Sequence, residues 1–176
     1  MPVLKNQKRN IVLIGMPGAG KSTVGVVLAK NLGLRFVDSD ICIQEIEKKL
    51  LHEIIKEKGT QGFLEVENRV NASLNMTDSV IATGGSAVYG KEAMQHLRET
   101  GIVVYLKLSC DAIKERLGDL TKRGVALKTG QTLEDLYEER SPLYEKYADL
   151  VIDCENQEIR KIVAQIASNV TTEDER

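Results

Sequence analysis

Cysteine is scarce in this chain and scattered: Cys42, Cys110 and Cys154 lie far apart and are odd in number. That spacing excludes a closed disulfide framework and a CxxC metal site, and it suits buried free thiols in a reducing cytoplasm. Histidine is scarcer still. His52 and His96 stand apart from every cysteine and from any HExxH pattern, which argues against a zinc centre or a histidine-dependent triad. Long apolar runs are missing too: the longest, residues 11–14 and 102–106, are far short of a membrane span or a signal-peptide core. Nor is there an excess of charge of one sign, since 24 Lys and Arg against 26 Asp and Glu leave a net charge of -2. Such a balance gives no general attraction to nucleic acid or acidic lipid, so an anionic ligand has to be caught locally.

What the 176 residues do contain is an ordinary globular mixture, 42% hydrophobic and 28% charged, with no internal repeat and no low-complexity tract. The length fits one domain, residues 1–176, around one core. Short β-branched runs at 10–14, 34–37, 79–82, 102–106 and 150–152 read as five strands. Segments of helical period separate them at 21–32, 41–76, 91–99, 111–117 and 133–147. Continuous apolar strands alternating with helices predict an α/β fold: a parallel sheet covered on both faces, with ligands beyond the carboxyl ends of its strands. Residues 41–76 are too many for a simple crossover and are divided by Gly59 and Gly62, which predicts a helical flap beside the binding edge. Residues 118–130 are polar, carry glycines at 118, 124 and 130 with Lys122, Arg123 and Lys128, and form a lid candidate. Residues 1–9 and 171–176 lack periodicity and read as frayed tails.

The strongest single motif is Gly15-Met16-Pro17-Gly18-Ala19-Gly20-Lys21-Ser22, a match to G-x-x-x-x-G-K-[ST] that follows a predicted strand and opens a predicted helix. Each residue type has a reason. Glycines let successive backbone N–H groups turn inward around a phosphate, the helix N-terminus adds positive potential, Lys21 reaches the β- and γ-phosphates of ATP, and the Ser22 hydroxyl suits Mg2+. By composition, a chance match in a chain of this length is on the order of one in a hundred before the strand–loop–helix context is required. No N-K-x-D motif for guanine occurs. Asp38-Ser39-Asp40 follows the second predicted strand, which puts both carboxylates at its carboxyl end, facing the phosphate loop. In isolation this triplet reads as a helix cap. Beside a phosphate loop, Asp38 can hold Mg2+ through water, and Asp40 can accept from an acceptor hydroxyl and orient it.

These pieces, together with Gly84-Gly85 after the third strand, Arg123 in the lid candidate and Glu139-Arg140-Ser141-Pro142-Leu143-Tyr144, resemble the shikimate kinase family of the nucleoside monophosphate kinase-like fold. The last stretch is similar to that family's E-R-x-P-L-Y. The resemblance implies a P-loop NTPase with a five-stranded parallel sheet and helices on both faces, a helical substrate-binding flap over residues 39–76, and a lid over residues 118–130 that closes over ATP. It implies that Gly15, Gly18, Ala19, Gly20, Lys21, Ser22 and Thr23 hold the phosphates, that Arg116 lies near the adenine and that Arg123 reaches the transferring phosphate. Ser22 and Asp38 would serve Mg2+, Asp40 would bind the substrate hydroxyls, Gly84 and Gly85 would offer backbone N–H groups, and Arg140 would bind a substrate carboxylate. Lys21, Asp38, Asp40 and Arg123 form the implied catalytic set. The implied reaction is ATP-dependent phosphorylation of a hydroxyl on shikimate or a related small polar metabolite. A cytoplasmic monomer is expected, with neither nucleic acid nor membrane as a partner.

Departures from the family pattern gather on the acceptor side. The second carboxylate-binding arginine, expected after the Phe that aligns with Phe63, is Leu64 here, and the third Gly of the family's G-G-G is Ser86. Gly124 follows the lid arginine where the family has Pro, and no arginine of an adenine loop is evident near residues 153–157. A lost guanidinium–carboxylate fork removes two charge-assisted bonds of roughly 1.5–3 kcal/mol each unless Arg69 or another cation compensates. Other acceptors therefore stay open: a hydroxy acid, a hydroxy amino acid, a polyol, or a nucleotide, although a nucleotide's phosphate would need arginines in a flap that holds only Arg69. From a different class, a non-catalytic nucleotide-binding regulator also stays open, opposed by the retention of Lys21, Asp38, Asp40 and Arg123.

Overall fold

Every residue of Asn10–Ile14 (β1) is buried, the apolar run 11–14 as a central strand demands and Asn10 through hydrogen bonds to Met76 and Ser79. The structure, a computed structural model of the chain, describes residues 10–118 and 128–171. Among these, β1, Arg35–Asp38 (β2), Ser79–Ala82 (β3), Gly101–Lys107 (β4) and Leu150–Asp153 (β5) pair in parallel in the order β2-β3-β1-β4-β5. The helices are Lys21–Leu32 (α1), Ser39–Glu47 (α2), Leu51–Ala72 (α3), Lys91–Thr100 (α4), Cys110–Leu117 (α5), Leu133–Tyr147 (α6) and Ile159–Val170 (α7), with a 3-10 turn at Ala87–Tyr89. The edge strands β2 and β5 are partly exposed, as a strand covered on fewer sides can be. No described helix is long and apolar enough to cross a membrane.

Topology and register together position the site. β1 lies between β3 and β4, so the chain passes across β1 when it leaves β3, and a reversal of that kind opens a crevice at the carboxyl ends of the strands. Asp38 aligns with Ala82, and Ala82 with Leu13. The residues following these three, 38–40, 83–85 and 15–20, therefore share one sheet edge. The principal core lies around the sheet, and a smaller cluster of Ile43, Ile54, Phe63, Val66 and Val70 packs α2 against α3. Each of those buried side chains contributes roughly 1.5–3 kcal/mol, enough to hold this helix pair as a formed wall of the crevice.

The expected flap is this α2–α3 pair. Gly59, with φ 72° and ψ 177°, breaks the helical path inside α3, and nothing lies within 4 Å of where its Cβ would be. The glycine is there for its dihedrals and not for want of space. Gly62, the other expected divider, stays helical. A helix was not expected after β5, yet Ile162, Val163, Ile166 and Val170 bury one face of α7, which packs on α1. The thiol expectation is met in full by Cys154 alone, since Cys42 and Cys110, also free, are half-buried. Residues 119–127, with Arg123 and most of the expected lid, lie outside the described residues, as do 1–9 and 172–176.

Candidate active site

The phosphate loop starts from one backbone constraint. Gly20, at φ 91° and ψ 20°, caps α1 in the left-handed region that a Cβ disfavours, and no side chain caps the helix. Positive potential at the start of α1 is therefore directed into the loop. Lys21 is buried, and its ammonium donates to the carbonyls of Gly15 at 2.7 Å and Met16 at 2.8 Å. Burial lowers its pKa to about 8; the Asp40 carboxylate opposes the shift and the Arg140 guanidinium adds to it.

Asp38 caps a helix and also faces the phosphate loop. As the N-cap of α2 it accepts from the Asp40 N–H through Oδ1 at 2.9 Å, while its Oδ2 accepts from the Ser22 hydroxyl at 3.2 Å. One oxygen ends the helix and the other faces the phosphate loop. The cap turns the chain so that Asp40, one residue into α2, reaches the same crevice. Burial raises its carboxyl to about 6, the neighbouring Asp38 pushes in the same direction, and Lys21 opposes.

A cavity of about 290 Å³ follows, lined by the phosphate loop, Asp40, Phe63 and Glu67 of α3, Thr83 to Ser86 after β3, and Arg140 of α6. A Cβ on Gly84 would lie 2.7 Å from Glu67 Oε2 and 2.8 Å from Asp40 Oδ1, so the two carboxyl groups press against its backbone. On Gly85 a Cβ would meet Pro17 at 2.7 Å and the Arg140 guanidinium at 2.8 Å. Arg140 is 1% exposed, and the Tyr144 hydroxyl one turn later donates to the Gly85 carbonyl at 2.6 Å, tying α6 to the loop after β3.

Glu67 is the site residue that sequence reasoning missed. It is 2% exposed, Ser86 Oγ donates to its Oε1 at 2.5 Å, and its Oε2 has no hydrogen-bond partner. Burial raises this carboxyl to about 7, against the Ser86 hydrogen bond. A signal was present: Glu67 interrupts the apolar stripe of Phe63, Val66 and Val70, and a carboxylate on a buried helix face requires an explanation. Ser86 departs from the family's glycine and acquires a role a glycine could not fill, as the donor to Glu67.

Other expected residues lie at or beyond the margin. The Arg116 guanidinium donates to the Gly18 carbonyl at 3.4 Å and borders a depression between α5 and the turn after β5. Arg69 is exposed, pairs with Glu47 at 2.5 Å and does not line the crevice, so it does not compensate for Leu64. Leu64 itself lines a neighbouring cavity of about 450 Å³ with Tyr89, Lys128 and Glu139.

A phosphate cradle opposed by an acceptor pocket across one parallel sheet edge defines a small-molecule kinase of the P-loop class. Known proteins sharpen this. The model of the family described as shikimate kinase matches residues 17–171. A shikimate kinase of Haemophilus influenzae (strain PittEE) is 39% identical over 164 residues, 91% of each chain. Among solved structures, the shikimate kinase from Acinetobacter baumannii in complex with shikimate has a TM-score of 0.82 at 31% identity over 92% of each chain. The deoxyadenosine kinase from M. mycoides shares the fold, with a TM-score of 0.54 at 15% identity over 91% of this chain and 97% of that one. The chain belongs to the shikimate kinase family.

Proposed function

We propose that the chain transfers the γ-phosphoryl group of ATP to a hydroxyl of shikimate in the crevice at the sheet edge. The carrying observation is that Lys21 after β1, Asp40 after β2 and Arg140 of α6 line one cavity, although they are far apart in the sequence. Lys21 exchanges its two loop carbonyls for the β- and γ-phosphate oxygens, and Gly15, Gly18, Ala19, Gly20, Ser22 and Thr23 complete the phosphate cradle. Ser22 and Asp38 suit Mg2+, because a hydroxyl and a carboxylate 3.2 Å apart are hard oxygen donors, and this ion takes few protein ligands beside phosphate and water. When bound, the ion neutralises charge on the phosphate oxygens.

On the acceptor side, Asp40 accepts from the attacking hydroxyl and orients it, which its pKa of about 6 permits at neutral pH. Gly84 and Gly85 offer backbone N–H groups to the substrate, and Arg140 binds its carboxylate. Arg116 borders the adenine, and the role of Arg123 toward the transferring phosphate rests on the family resemblance, since it lies outside the described residues. Phosphoryl transfer requires positioning and charge neutralisation more than covalent chemistry, so no enzyme nucleophile is needed. The test is ATP turnover against a panel of shikimate, hydroxy acids, hydroxy amino acids, polyols and nucleotides. Shikimate-dependent ADP formation with a KM in the usual micromolar-to-millimolar range is expected; turnover with another acceptor and none with shikimate would overturn the assignment.

A further inference from the structure

Among the described residues lining the acceptor cavity the cations are Lys21 and Arg140, and Lys21 is turned back onto the loop carbonyls. Orientation of an anionic acceptor thus falls to one guanidinium. A guanidinium discriminates by its plane, because its paired N–H donors match a carboxylate only when the two groups are coplanar. Something other than the ligand has to set that plane.

Tyr89 is placed to do so. The Arg140 guanidinium carbon lies 5.3 Å from the centroid of the Tyr89 ring, within cation–π range, and Arg140 Nε donates to the Tyr89 hydroxyl at 3.4 Å. That hydroxyl donates in turn to Glu139 Oε1 at 2.7 Å, and Glu139 Oε2 accepts from Gln131 at 3.2 Å. The start of α4, two residues after Tyr89, is pinned to α3, since Asn68 Oδ1 accepts from the Ala93 N–H at 2.9 Å and Asn68 Nδ2 donates to Glu92 at 2.9 Å. Ring and hydroxyl therefore hold the guanidinium at two points from a fixed base.

We infer that Tyr89 is a positioning residue that sets the plane of Arg140 and with it the selectivity for a carboxylate-bearing acceptor. The inference rests on the reading of Arg140 as the carboxylate-binding residue. It is tested on the full chain with Tyr89→Phe, Tyr89→Leu and Arg140→Lys, measuring kcat and KM for shikimate, methyl shikimate and MgATP, and Tm. Tyr89→Phe keeps the ring and should raise the shikimate KM about 3-fold, whereas Tyr89→Leu loses both contacts and should raise it about 10-fold. In both, the preference for shikimate over its methyl ester narrows while the MgATP KM and Tm stay at wild-type values. A wild-type shikimate KM in both variants, or a parallel rise in MgATP KM with a fall in Tm, would overturn the inference, provided that Arg140→Lys raises the shikimate KM. Arg140→Lys with an unchanged shikimate KM would overturn the assignment of Arg140 and the inference with it.

Discussion

The phosphate loop and the acceptor pocket meet at Lys21 but are built in opposite ways. Eight consecutive residues make the loop, and its geometry comes from backbone: the left-handed Gly20, the uncapped start of α1 and the carbonyls that hold Lys21. The pocket takes Asp40 from α2, Glu67 from α3, Gly84 to Ser86 from the loop after β3, and Arg140 from α6. Its working groups are mostly side chains, held by burial and by partners elsewhere in the chain. A site made of backbone forces glycine at fixed spacing and tolerates little change. A site made of side chains permits exchanges such as Ser86, whose hydroxyl gains a contact to Glu67 that a glycine could not make.

The largest test of this contrast is Lys21→Ala. Its charge acts on phosphate oxygens and not on the core, so turnover should fall on the order of 10³-fold in steady-state kinetics while Tm shifts by only a few degrees. Near-normal turnover would mean that the loop's backbone suffices. Asp40→Asn should lower kcat about 10²-fold or more with the MgATP KM nearly unchanged, confining the damage to the acceptor half. In the wild type the same group should give kcat/KM for shikimate an acid limb that falls below about pH 6, because Asp40 must be ionised to accept the hydroxyl proton.

Smaller effects sharpen the account of the pocket. Leu64→Arg should lower the shikimate KM several-fold: position 64 is one helical turn before Glu67, whose Oε2 has no hydrogen-bond partner, so a new guanidinium has an anchor and can face the carboxylate. An increase in KM would show that the pocket has adapted to a single guanidinium. The smallest effect concerns stability. Asp40 and Glu67, raised from ordinary values of 3.8 and 4.5 to about 6 and 7, bind more protons in the folded state than in the unfolded one. Their contribution to stability is therefore lost as pH rises from about 4 to 7. Glu67→Gln removes one of these titrations, so the Tm of the variant minus that of the wild type should grow by a few degrees between pH 5 and pH 7.5.

Much of the framework was legible because local pattern and final burial coincide. The β1 run, the α1 and α6 boundaries and the break at Gly59 follow directly from apolar period and glycine placement. The pattern for α7 was present as well, with Ile159, Ile162, Val163, Ile166 and Val170 recurring at helical spacing, and docking on α1 buries most of that stripe. In the site, the loop could be read entire. Asp38 read as either cap or metal residue; the structure shows the cap through Oδ1 and leaves Oδ2 against Ser22, which is the geometry the proposed metal role uses. Glu67 showed only as a break in an apolar stripe and Tyr89 not at all, since their importance lies in contacts to Ser86 and Arg140 that only folding creates.

The resting arrangement of Lys21 also has a calorimetric signature. With a pKa lowered to about 8 by burial, part of the Lys21 population is uncharged at pH 8 in the empty loop, where its nitrogen meets the Gly15 and Met16 carbonyls. Phosphate oxygens bring full negative charge and favour the ammonium, so nucleotide binding at that pH draws a fraction of a proton from the buffer for each site filled. Heats of ATP binding measured in Tris and in phosphate should therefore differ by that fraction of the difference in the buffers' ionisation enthalpies. The same linkage weakens nucleotide affinity as the medium becomes more alkaline, because each binding event must then also recruit the proton that the empty loop had released.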